Sequence, residues 1–191
     1  MRFFAGVDPD MHNMPIAVVD EAGVLQYVRV VEVPKKITGR PALVEMMKQT
    51  LMSGPLPLPL AGLCVEAQEI YQHGSGKTKN PKSIMFLATV AGIAMTTFND
   101  FLTMTYFPTP QEWKGSVPKQ IHQARVLSKM GIGYNKHGTV EDGYCWPVGL
   151  CQFDVKPAHW KHVVDAIGLA QWGREKFLAE DAFNKRKECK A

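Results

Sequence analysis

Two short apolar runs that each end directly in an acidic residue constrain the fold of this 191-residue chain most. Phe3–Val7 is followed by Asp8 and a proline, and Leu60–Val65 is followed by Glu66. Uninterrupted apolar runs of this length are typical of strands buried on both faces of a sheet. If the two strands are parallel neighbours, their carboxyl ends lie side by side, where α/β sheets place their ligands. The sequence therefore predicts that both carboxylates lie at one end of a buried sheet.

The order of the other elements predicts an α/β protein. Residues 16–19 and 24–33 are rich in β-branched residues and are joined by a short glycine-containing loop, which favours a hairpin. Residues 101–107 are predicted to form a fifth strand, and residues 134–157 a long loop. Helices are predicted over residues 42–52, 81–99, 118–130 and 158–183. A five-stranded mixed sheet flanked by helices in this order is what an RNase H-like fold requires.

Composition favours one globular domain over residues 1–191, with a basic end at residues 184–191 that frays into solvent. A chain of this length with 46% hydrophobic residues buries roughly 70% of the surface of its unfolded form, so disorder as the main state is excluded. The four cysteines form no Cys-x-x-Cys pair and are expected to be reduced thiols. The N-terminal apolar run is too short for a signal peptide, and no apolar stretch reaches the roughly 20 residues that span a bilayer. We therefore expect a cytoplasmic protein with no membrane contact.

A further acidic motif completes a candidate metal site. His162 precedes Asp165 by three residues near the start of the last predicted helix, so both side chains project from one helical face. Together with Asp8 and Glu66 they would form a cluster suited to two Mg²⁺ ions about 4 Å apart, which align water for phosphodiester cleavage. One imidazole would leave Mn²⁺ acceptable. The alternative is that these residues make turn hydrogen bonds or lie on a helix surface.

Three segments, residues 6–9, 65–68 and 162–170, resemble the acidic motifs of RuvC-type Holliday junction resolvases. Residues 110–119 also resemble the lysine-bearing segment of phage-type relatives, so the resemblance spans nearly the whole chain. It implies an RNase H-like fold, a homodimer and Mg²⁺-dependent paired nicking of four-way DNA junctions. It also implies catalysis and metal ligation by Asp8, Glu66, His162 and Asp165.

Basic residues are concentrated in three stretches. Residues 71–82, 113–129 and 184–191 hold 11 of the 22 lysines and arginines and one acidic residue. Clustered positive charge suits a polyanionic partner, although solvated basic faces are common. The resemblance places Lys114 and Lys119 in the family's basic segment. It also makes Tyr71 the nearest match to an aromatic residue that stacks on a junction base in the family. The candidate DNA-binding residues are Tyr71, Lys77, Lys79, Lys82, Lys114 and Lys119.

Four other sequence features are not among the leading candidates for catalysis or nucleotide binding. Residues 74–78, Gly-Ser-Gly-Lys-Thr, are similar to a phosphate-binding loop, but position 71 is tyrosine instead of the required glycine, so we expect no nucleotide triphosphate to bind. Asp10 is expected to be a turn residue, and Glu69 to rank behind Glu66 as a metal ligand. Trp113 is expected to be a core residue.

The leading hypothesis is a structure-selective DNA endonuclease that resolves four-way junctions as a two-fold dimer. Two alternatives remain open. One is a catalytically silent module that binds branched DNA, and the other is an RNase H-like nuclease that acts on flaps, forks or RNA:DNA hybrids.

Overall fold

A five-stranded mixed sheet forms the centre of the fold. The strand order is β3-β2-β1-β4-β5. The strands are β1 Phe3–Val7, β2 Asn13–Asp20, β3 Leu25–Glu32, β4 Leu60–Val65 and β5 Met104–Tyr106. This computed structural model describes residues 1–10, 12–53, 56, 59–67, 81–98, 104–131 and 155–188.

The pairing of the strands confirms the predicted topology. β1, β2 and β3 form an antiparallel meander, while β1 pairs with β4 and β4 with β5 in parallel. Val7 lies opposite Val65 at the carboxyl ends of β1 and β4. The amide of Glu66 continues this ladder by donating to the carbonyl of Val7 at 3.1 Å. The residues that follow β1 and β4 therefore leave the sheet at the same level.

Helices cover both faces of the sheet. They are α1 Arg40–Met52, α2 Pro81–Phe98, α3 Pro110–Lys114, α4 Lys119–Lys129 and α5 Trp160–Glu188. Alternate residues of β1 point to opposite faces, because successive side chains of a strand alternate. Val7 belongs to the core that contains α1 and α2, and Phe4 to the core that contains α4 and α5.

Gly6 allows α5 to cross directly over β1. A Cβ at this position would lie 2.1 Å from the carbonyl oxygen of Ala166 and 2.3 Å from the amide nitrogen of Ala170. Such distances are far below van der Waals contact, so only glycine permits this crossing. The crossing places Asp165, the residue before Ala166, beside the end of β1.

The helices α1 and α5 begin at Arg40 and Trp160, each two residues from its predicted start, and two larger differences are also found. The one-turn helix α3 was not predicted, and it is fixed by a capping box in which Thr109 and Glu112 bond each other's backbone amides. The last helix continues through Glu188, so residues 184–188 are helical and the predicted end at residue 183 is wrong. The basic side chains in its last turn suit the negative end of the helix dipole.

Other predictions are tested only in part. Cys64 is a buried free thiol, while the other three cysteines and most of the predicted loop over residues 134–157 lie outside the described residues. The described portion of β5 is shorter than the predicted strand, and residues 101–103 are not described. Within the described ranges, no helix is long and apolar enough to cross a membrane.

Candidate active site

Three carboxylates from three elements lie at one end of the sheet. Asp8 follows β1, Glu66 follows β4, and Asp165 belongs to the first turns of α5. Asp8 is 9% exposed and Asp165 only 3%. Burial raises the pKa of Asp8, and the charge of Asp165 raises it further. The pKa of Glu66 is raised by burial and then by Asp8. The three groups are thus close enough to disfavour one another's negative charge.

His162 contacts the first of these carboxylates. Its Nδ1 lies 3.2 Å from Oδ2 of Asp8, which confirms that His162 and Asp165 face the same end of the sheet. The hydrogen bond to Asp8 raises the pKa of His162 and outweighs the opposing effect of its burial. When it is protonated, the imidazole compensates part of the negative charge on Asp8.

Both oxygens of Asp165 have partners on α4. The ammonium of Lys119 lies 2.5 Å from Oδ2, and the amide of Gln123 donates to Oδ1 at 2.9 Å. The same amide donates to the backbone carbonyl of Lys161 at 2.9 Å, which ties α4 to the start of α5. Burial alone would lower the pKa of Lys119, but Asp165 outweighs it and raises the pKa. Gln123 was not recognised from sequence, because no short-range pattern links it to Asp165.

Trp113 and Lys114 of α3 hold Glu66. The indole Nε1 of Trp113 donates to Oε2 of Glu66 at 2.8 Å, and Nζ of Lys114 lies 3.6 Å from the same oxygen. The prediction that Trp113 is a core residue is confirmed, since it is 6% exposed. Its bond to Glu66 was not predicted, although the Thr-x-x-Glu pattern just before it marks the start of the helix that presents it.

The chemistry of this cluster fits a hard divalent cation. Carboxylate oxygens are the protein ligands that Mg²⁺ prefers, and three of them face one region together with one imidazole. As arranged, no three His, Cys, Asp or Glu side chains of the described residues surround a common metal position. Lys114 and Lys119 pair with carboxylate oxygens that a cation would need. A cation bound at these carboxylates would therefore compete with the two ammonium groups.

The remaining site predictions have mixed outcomes. Oδ1 of Asp10 accepts from the backbone amides of His12 and Asn13 at 2.9 and 3.1 Å, which confirms its role as a turn residue. Lys82 belongs to α2, but its side chain is not described. Three predicted DNA-binding residues and one alternative metal ligand lie outside the described residues: Tyr71, Lys77, Lys79 and Glu69.

The fold is similar to two solved structures of RuvC from Thermus thermophilus. One is T. thermophilus RuvC in complex with Holliday junction substrate, with a TM-score of 0.59 and 13% sequence identity over 90% of this chain and 92% of that chain. The other is a Thermus thermophilus RuvC structure with a TM-score of 0.55 and 16% identity, over 94% of this chain and 96% of that chain. No protein-family model matches the sequence, and no curated protein matches it significantly. The chain therefore has the RNase H-like α/β fold of the RuvC structures, as its sequence motifs predicted.

Proposed function

We propose that this protein is a structure-selective endonuclease that cuts four-way DNA junctions by Mg²⁺-dependent hydrolysis. The observation that supports this function most is the cluster of Asp8, Glu66 and Asp165 beside two lysines, at the end of a RuvC-like sheet. A structure with the same fold is a RuvC complex with Holliday junction substrate. Buried carboxylates next to cations suit a site that must hold metal ions and a phosphodiester at once.

The carboxylates are the proposed metal ligands, and His162 completes the set. Bound Mg²⁺ ions would align a water molecule and stabilise the leaving oxygen of the phosphodiester. Asp8 is central in this set, because it contacts His162 and interacts electrostatically with both Asp165 and Glu66. Its neutralisation should therefore affect the site more than any other single change.

The neighbouring residues position the carboxylates and bind DNA. Trp113 donates from a rigid indole ring and so fixes the orientation of Glu66. The side-chain amide of Gln123 makes two hydrogen bonds, one of them to Asp165, and so fixes the orientation of Asp165. Lys114 and Lys119 can exchange their carboxylate partners for DNA phosphates, because both groups offer anionic oxygens to an ammonium. The lysines then compensate charge at the site both before and after the substrate binds.

Two symmetric cuts in a two-fold junction need two sites, so we propose that the active form is a homodimer. Sedimentation of the free protein and of its junction complex tests this assembly. A complex that contains one protomer per junction would contradict it.

The test of function is cleavage of a labelled four-way junction with Mg²⁺, Mn²⁺ or chelator, by the wild type and by Asp8→Asn. We expect metal-dependent paired nicks that the variant loses while it still binds the junction. Asp181→Asn is the matched control, because Asp181 lies on the distal part of α5 and forms its ion pairs with Arg2 and Lys185, not with a residue of the candidate site. Wild-type binding without cleavage in either metal would instead support the silent binding module. Faster cleavage of a flap or an RNA:DNA hybrid would support another RNase H-like nuclease.

A further inference from the structure

A cavity of about 220 Å³ lies next to the candidate active site and shares Trp113 and Lys114 with it. The far end of α4 contributes Arg125 and Lys129, and α5 contributes Trp172. Ligand pockets for complete small molecules usually measure roughly 300–1,000 Å³. This cavity is therefore too small for a free cofactor, but it can admit a phosphate with part of its nucleoside.

The cavity carries an excess of positive charge. Of its cations, Lys129 pairs with Glu175 at 3.2 Å, and Lys114 lies near Glu66. Arg125 has no hydrogen bond or ion pair with any described residue. Burial lowers the pKa of His122 in the same wall, and the charges of Lys114, Arg125 and Lys129 lower it further, so all three cations lie near this ring. Arg125 is exposed, and a guanidinium that no described residue pairs, at a cationic concave site, is suited to bidentate binding of a phosphate.

The walls of the cavity are aromatic as well as basic. Trp113 meets the edge of the His122 ring, with centroids 4.6 Å apart, and Trp172 is braced by Tyr106 at 5.9 Å. Gly168 keeps this wall close to α5, because a Cβ there would lie 2.9 Å from Cζ3 of Trp113. Trp172 is only partly buried, and an accessible tryptophan beside basic side chains favours a nucleotide over a simple anion, since every base can stack on an aromatic ring.

We propose that this cavity binds a backbone phosphate of the DNA strand, one or a few nucleotides from the cleaved bond, with Arg125 as its main ligand. The proposal rests on the proposed function for the identity of the strand. Lys114 connects the cavity with the carboxylate cluster, because it lines the cavity and its Nζ also lies 3.6 Å from Oε2 of Glu66. A strand that leaves the carboxylates past Lys114 thus reaches Arg125 next.

The test is junction binding in chelator, measured by fluorescence anisotropy between about 50 and 200 mM salt. We expect Arg125→Gln to weaken binding about tenfold and to reduce the slope of log affinity against log salt by about one. Arg125→Lys keeps the positive charge but loses the paired N–H donors of the guanidinium. This variant should therefore keep the wild-type salt slope and bind the junction more tightly than Arg125→Gln but more weakly than the wild type. Arg40→Gln is the matched control, because Arg40 is exposed at the start of α1 on the opposite face of the sheet.

Unchanged affinity and slope in Arg125→Gln, or an equal loss in Arg40→Gln, would overturn the proposal. A wild type that binds no branched DNA contradicts the proposed function instead, and the cavity is then tested alone. In that case a 5′-phosphorylated thymidine dinucleotide should quench tryptophan fluorescence, and Arg125→Gln and Trp172→Phe should both reduce the quenching. Absence of quenching in the wild type would refute the cavity as a phosphate site.

Discussion

The ammonium of Lys119 lies 2.5 Å from Oδ2 of Asp165, although Asp165 is buried and Lys119 is half exposed. A buried carboxylate needs a compensating charge, and in the absence of a metal ion the lysine supplies it. The same pair therefore stabilises the free protein and would compete with a cation at the proposed metal site. This competition has consequences for both stability and metal affinity.

The first prediction concerns Lys119→Met. Among the described residues, loss of the ammonium leaves Asp165 with Gln123 as its hydrogen-bond partner. We therefore expect the free energy of unfolding in chelator to fall by about 1–2 kcal/mol, a modest value because Lys119 is half exposed. Mn²⁺ should bind more tightly to the variant, and Mg²⁺ should raise its melting temperature more than that of the wild type. Titration calorimetry and thermal melting measure these effects. Lys129→Met is the control, and equal metal affinity in wild type and Lys119→Met would contradict the competition.

The second prediction concerns Trp113→Phe, which keeps an aromatic ring but removes the donor to Glu66. We expect junction cleavage to slow about tenfold and stability to fall by about 2 kcal/mol, because one hydrogen bond to a charged group is lost. Junction binding in chelator should change little. Tyr106→Phe is the control, since it removes a hydroxyl that bonds Glu180 instead of a site carboxylate. Equal cleavage rates in Trp113→Phe and the wild type would show that Glu66 needs no positioning.

The third prediction concerns pH. The pKa of His162 is raised in the native state above its ordinary value of 6.5, so the native state binds this proton more tightly than the unfolded state. Its stabilising contribution is fully present below pH 6.5 and is lost as pH rises through the raised pKa. The free energy of unfolding in chelator should therefore fall more steeply between about pH 6 and pH 9 in the wild type than in His162→Gln. Denaturant unfolding at several pH values measures this, and identical slopes would refute it.

The fourth prediction compares two glycines. Gly6→Ala should destabilise the protein by about 3 kcal/mol or more, because its Cβ would meet the backbone of α5 at 2.1 Å. Gly92→Ala, in α2 with open space around the added methyl group, should stabilise it by about 0.5–1 kcal/mol. Thermal melting of both variants tests the pair. A Gly6→Ala variant as stable as the wild type would disprove the close crossing.

The sequence alone was sufficient for the central strands and for the turn at Asp10. Phe3–Val7 and Leu60–Val65 have the bounds that their apolar runs predicted, because prolines and acidic residues limit them locally. Asp10 bonds amides two and three residues ahead, a contact that depends only on neighbouring residues. Such features depend on local chemistry and can be predicted without knowledge of the fold.

The partners of the carboxylates were decided only by the tertiary structure. Trp113 is 47 residues from Glu66, and Gln123 is 42 residues from Asp165, so no periodicity connects them. Their contacts arise because α3 and α4 pack near the end of the sheet where Gly6 lets α5 approach. The sequence by itself determined which acidic residues follow the buried strands. The packing of distant helices decided which side chains donate hydrogen bonds to the carboxylates, because buried polar groups must find their partners in space.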